Sequence, residues 1–216
     1  MKIKGDHIEL INGPVGKLEV CVSEGIAPQR NAFAVICHPH PLYGGTMQNK
    51  VVTTLVKTFQ SLGVNTVRFN FRGVGQSEGK FDHGNGEIDD ALAVINWMQR
   101  EQKKNEIWLA GFSFGAYIAA KTASQLPITQ LVTVAPPVNH FHMELIPPIH
   151  APWIVVQGEL DEVVPANDVY AWIETREPKP TLLKFPQAGH YFHGLLLELR
   201  ERIAAAITNA INDAGL

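Results

Sequence analysis

Apolar and polar positions alternate in two registers along this chain, and the register changes at regular intervals. At the amino end, His7–Ile11 and Lys17–Val22 alternate with period two around a turn at Asn12–Gly16, which predicts a hairpin on an antiparallel sheet edge. Ala32–Cys37 is a continuous apolar run, as expected of a strand buried on both faces. Met47, Val51, Val52, Leu55, Val56 and Phe59 then fall on one face of a helix that ends at Gly63. Val64–Phe71 predicts the next strand, and Ile88, Ala91, Leu92, Ile95 and Met98 the next helix.

The alternation continues to the carboxyl end. Ile107–Ala110 reads as a strand, followed by an alanine-rich helix from Phe114 to about Leu126-Pro127. Strands follow at Gln130–Pro137, Pro152–Gln157 and Thr181–Phe185, with a helix near Asn167–Thr175 between the last two. Leu195, Leu199, Ile203, Ile207 and Ile211 recur every fourth position and mark a long final helix. Strands alternating with helices imply a doubly wound α/β fold, with a mostly parallel sheet of about eight strands covered on both faces. No repeat or low-complexity tract divides the chain, so residues 1–216 are expected to form one domain.

One junction carries chemistry. In Gly111-Phe112-Ser113-Phe114-Gly115 a serine stands between a buried strand and a helix, flanked at two residues by glycines. Such a turn lifts the hydroxyl above the sheet and aims the Phe114 amide, at a helix start, towards a developing oxyanion. A second match, Gly75-Gln76-Ser77-Glu78-Gly79, lies in a charged glycine-rich turn and runs into residues without helical spacing. The motif needs a strand before it and a helix after it, so Ser113 is the expected nucleophile and Ser77 a loop serine.

A nucleophilic serine needs a base and an orienting acid, each on a loop beyond a strand end. Asp161 follows the strand ending at Gln157, and His190 follows the one ending at Phe185. The chain order Ser, Asp, His is the one this kind of turn uses. Glu159 and Glu162 compete for the acid role, and His193 for the base. A second oxyanion donor is expected from the loop after Cys37. There Pro39 and Pro41 have no N–H, which leaves His40 as the best candidate and Leu42 or later amides as alternatives.

These motifs resemble those of the α/β-hydrolases, and in particular of small lidless members related to dienelactone hydrolases and bacterial esterase-like proteins. The resemblance spans essentially the whole chain. It rests on His38-Pro-His-Pro-Leu-Tyr-Gly-Gly45, on Arg72-Gly-Val-Gly-Gln-Ser-Glu-Gly79, on the elbow, on Gly158-x-x-Asp161 and on Gly189-His190. It departs at Pro39, where many members carry glycine. The resemblance implies the fold and ester-type acyl chemistry, without naming a substrate.

Composition adds boundaries. A net charge of −3 gives no electrostatic reason to expect nucleic acid, and no apolar run approaches the ~20 residues that span a membrane. The amino terminus has lysines but no apolar signal core, and Cys21 and Cys37 both sit in strand-like runs, so a reduced, cytoplasmic protein is expected. The expected partner is a small-molecule ester or thioester, cleaved through an acyl-enzyme that requires no cofactor and no metal. A homodimer is the oligomer left open.

The segment 138–151, between two strands, is too short for a cap domain and holds two adjacent prolines. An open, shallow site follows, with Leu42, Tyr43, Phe141 and Met143 expected to contact substrate. Two other functional classes remain. A metal-dependent hydrolase would use His38-x-His40, His140-x-His142 or His190-x-x-His193, but alternate residues on an extended strand face opposite ways and no carboxylate cluster joins them. A catalytically silent binding scaffold would not need Ser113, Asp161 and His190 on three separate loops.

Overall fold

The computed structural model describes residues 6–26, 28–103 and 106–213. Among the described residues eight strands alternate with five helices. The strands are β1 (His7–Gly13), β2 (Gly16–Ser23), β3 (Ala32–Cys37), β4 (Asn65–Phe69), β5 (Glu106–Phe112), β6 (Gln130–Val134), β7 (Trp153–Gly158) and β8 (Thr181–Phe185). The helices are α1 (Lys50–Ser61), α2 (Asn85–Gln102), α3 (Phe114–Ala123), α4 (Ala166–Glu174) and α5 (Leu196–Asp213). One sheet holds all eight strands in the order β1-β2-β4-β3-β5-β6-β7-β8. The β1–β2 hairpin joins β4 in antiparallel fashion, and every other pairing is parallel. The expected α/β architecture is therefore the one observed.

Strand pleating accounts for the two faces. Along β3, Phe33, Val35 and Cys37 enter the core shared with α2, α3 and α4, while Ala32, Ala34 and Ile36 enter the one shared with α1 and α5. Strand β5 divides likewise, with Ile107 and Leu109 on the first side and Trp108, Ala110 and Phe112 on the second. Because each successive side chain is buried, the central strands read as unbroken apolar runs. Both cysteines are buried and free, and burial pushes the Cys21 thiol up to about 11.

The expected boundaries shift where backbone geometry overrides apolarity. Strand β6 stops at Val134 because Ala135 adopts φ 47° and two prolines follow. Helix α3 ends at Ala123, short of the expected Leu126-Pro127. Between β6 and β7 the chain makes only a short 3-10 turn at Met143–Leu145, so no cap domain covers the sheet's carboxyl edge. Among the described residues no helix is long and apolar enough to cross a membrane.

Candidate active site

The turn between β5 and α3 is strained. Ser113 holds φ 54° and ψ −121°, a conformation costing a residue with a side chain about 1–3 kcal/mol. It is pinned on both sides. The Ser113 amide donates to the Val134 carbonyl at 2.9 Å, and the Ala116 amide to the Ser113 carbonyl at 2.8 Å. The flanking glycines are steric necessities. A Cβ on Gly111 would lie 2.0 Å from the Gly115 carbonyl oxygen, and one on Gly115 would lie 2.3 Å from that of Cys37. Without them α3 would be pushed off β3 and its loop.

Three side chains from three loops then meet. His190 Nε2 lies 3.1 Å from Ser113 Oγ, and His190 Nδ1 lies 2.8 Å from Asp161 Oδ2. His190 is 3% exposed and Asp161 8%, whereas Ser113 is half-buried and reachable. Asp161 Oδ1 accepts from the amides of Val163 at 2.9 Å and Val164 at 2.7 Å. Burial opposes ionisation of Asp161, but His190 and the Val164 and Val163 amides outweigh it and hold the carboxyl below its ordinary value. A fixed carboxylate on Nδ1 makes that nitrogen the donor and leaves Nε2 to accept the serine proton.

The competing groups are occupied elsewhere. Glu159 Oε1 accepts from the Tyr170 hydroxyl at 3.0 Å, and Glu162 Oε2 from the His190 backbone amide at 3.3 Å. His193 is exposed, with its ring 5.8 Å from that of Tyr191. Ser77 is a buried strut. Its hydroxyl donates to the Asn70 carbonyl at 2.6 Å and accepts from the Glu19 amide at 2.9 Å. The loop around it is fastened by the buried Arg72–Asp90 pair at 2.7 Å and by Glu19, which takes the Asn70 side-chain amide at 2.7 Å.

The loop after β3 sorts its own donors. The Leu42 amide donates to His40 Nδ1 at 3.2 Å and the Tyr43 amide to the His40 carbonyl at 3.1 Å. No acceptor among the described residues takes the His40 or Phe114 amide. Those two, and not Leu42, remain available to a ligand. Burial, with the charge of His83, holds the His40 imidazole below its ordinary value. Its ring stands 4.8 Å from those of Tyr43 and Phe81 and 5.1 Å from Phe114.

Of the expected substrate contacts, Leu42 and Tyr43 are exposed at the rim, at 68% and 85%. Phe141 is half-buried, stacked on Tyr117 at 4.8 Å and 6.4 Å from the His40 ring. Met143 needs correction. It is 0% exposed inside the α2–α3 side of the core, because the 3-10 turn that carries it folds inward, so it contacts no substrate. His38 is likewise no chelating partner for His40. Its Nδ1–H donates to the Pro39 carbonyl at 2.6 Å, and its Nε2 accepts from the Phe71 amide at 3.1 Å.

The profile of the family described as "Serine aminopeptidase, S33" matches residues 30–149, more than half of the chain. The chain belongs to that family. It is 40% identical over 163 residues to an uncharacterised protein of Rickettsia prowazekii, covering 73% of this chain and 68% of that one. Among solved structures, an α/β serine hydrolase homologue from Coxiella burnetii superposes with a TM-score of 0.91 at 46% identity, covering 95% of this chain and 99% of that one. A lidless α/β serine hydrolase from Xanthomonas campestris gives a TM-score of 0.91 at 39% identity, with 97% and 96% covered. This is a small lidless member of the α/β-hydrolase superfamily.

In this hydrolase the role of His38 escaped the sequence reading, and it has a measurable consequence. Burial pushes the His38 imidazole down to about 4, and protonation would set Nε2–H against the Phe71 N–H. The unfolded chain, with histidine near ~6.5, binds the proton first as pH falls. Stability from neutral His38 is therefore present above about pH 6.5 and lost towards pH 4, amounting to about 3 kcal/mol over that window. Urea unfolding from pH 7 to 4.5 should show it. A His38→Gln variant, which keeps a donor and an acceptor but cannot titrate, should lose less stability over that range; equal losses would refute this assignment.

Proposed function

We propose that this chain hydrolyses small carboxylic esters or thioesters through an acyl-enzyme on Ser113. The observation that carries the reading is the hydrogen-bonded chain from Ser113 Oγ through His190 to buried Asp161. The Ser113 proton passes to His190 Nε2 as Oγ bonds to the substrate carbonyl carbon. The resulting oxyanion is received by the amides of Phe114 and His40, each such donor being worth roughly 10²–10³ in rate. Collapse expels the alcohol or thiol with the proton from His190, and water then releases the acid with His190 again as base. One α/β-hydrolase domain in the cytoplasm, working without a cofactor, carries the whole scheme.

Exposed Leu42 and Tyr43 at the rim and the lack of a cap over residues 138–151 favour small, freely diffusing substrates. On a panel of p-nitrophenyl esters, acetate and butyrate should turn over faster than palmitate, with no jump in rate above the micelle concentration. Preference for long chains, or interfacial activation, would sink the substrate class. Aminoacyl p-nitroanilides belong in the same panel because of the family's description. Cleavage of anilides in place of esters would move the reading to a peptidase.

A further inference from the structure

The carboxylate of Asp161 has a fourth donor that the sequence pattern does not announce. Gln157, the penultimate residue of β7, is fully buried, and its Nε2 lies 3.2 Å from Asp161 Oδ2, the oxygen that also faces His190. The same nitrogen lies 3.1 Å from the Gly158 carbonyl and 3.0 Å from that of Val164. Gln157 Oε1 has no partner among the described residues. Three acceptors around one end fix which way the amide points, since a flip would set oxygen against three oxygens. A buried glutamine that leaves its own oxygen unmet is there for its donor end.

We infer that Gln157 is a positioning residue, whose amide clamps Asp161 Oδ2 and closes the 158–164 turn so that the carboxylate meets His190 Nδ1 in one orientation. The inference rests on reading Ser113, His190 and Asp161 as the reacting chain. Oδ1 is fixed by two backbone amides, but among the described residues Oδ2 has only His190 and Gln157. Without Gln157, Oδ2 keeps only the His190 donor, so its orientation is less tightly held and its charge is less well solvated by donors. A less solvated carboxylate is more basic, so it takes up a proton at higher pH and pulls harder on a protonated imidazole.

The test uses 13C-aspartate NMR of the intact protein, following the Asp161 carboxyl carbon with pH, together with kcat and KM on p-nitrophenyl acetate. Gln157→Leu should move the Asp161 titration up by about one pH unit and lower kcat about tenfold, with KM little changed. The acid limb of its rate profile should shift to higher pH, which a general loss of folded protein would not cause. Should the leucine variant not fold, Gln157→Glu keeps the size and sets two carboxyls face to face. They would share a proton, and the pair should titrate well above wild-type Asp161. Wild-type titration in every folded variant would overturn the inference, as would a drop in kcat with no shift. Its failure stays separable from that of the hydrolase reading. If wild type lacks esterase activity but the NMR shift appears, only the latter falls.

Discussion

Ser113→Ala should abolish labelling by a fluorophosphonate and lower kcat for p-nitrophenyl acetate by roughly 10⁴–10⁶-fold, with the fold intact. Residual turnover would come from binding and from the proposed oxyanion donors alone. Alanine also relieves nothing in the strained turn, because its Cβ occupies the position the serine already holds at φ 54°. Ser77→Ala should do the reverse. Its hydroxyl bridges the Asn70 carbonyl and the Glu19 amide, so removal strands two buried backbone groups. A loss of about 1–3 kcal/mol in stability is expected, with turnover per folded molecule nearly unchanged. Peptide mapping of the labelled protein decides between them. A label on Ser77 would end the site assignment.

That contrast also marks how far the sequence can be read. Both serines sit in the same five-residue pattern, and only the strand before Ser113 and the helix after it tell them apart. Those elements were legible because burial on both sheet faces writes itself as unbroken apolar runs. Asp161 and His190 were legible because strand ends could be counted. What was hidden depends on which way a short segment turns. Met143 reads as a substrate contact on an irregular segment until the 3-10 turn folds it into the core. Gln157 reads as the polar end of an apolar strand, since nothing in its neighbours announces a donor aimed at residue 161. His38 enters the sequence reading as half of a His38-x-His40 pair whose members face opposite ways, with no partner of its own. Its Nε2 is taken by the Phe71 amide from the loop after β4, and a contact of that range leaves no local trace.

Asp161→Asn should cost about 10⁴-fold in kcat, and the surrounding donors explain why it is not a mild change. The Val163 and Val164 amides both point at Oδ1, so an asparagine at 161 turns its carbonyl oxygen to them. Its NH₂ group then occupies the place of Oδ2, facing His190 Nδ1 and the Gln157 amide. His190 must now accept on Nδ1, so its proton moves to Nε2 and confronts Ser113 Oγ, where no base remains. Gln157 meets a donor with a donor, so some loss of stability should accompany the loss of rate. His190→Gln, which removes the proposed base outright, should be as damaging. His193→Gln should stay near wild type, since that ring is exposed, 5.8 Å from that of Tyr191. Circular dichroism and thermal unfolding check that each variant folds, and single-turnover rates on p-nitrophenyl acetate give the ranking. If His193→Gln proves the crippled variant and His190→Gln the mild one, the proton path drawn through His190 is wrong.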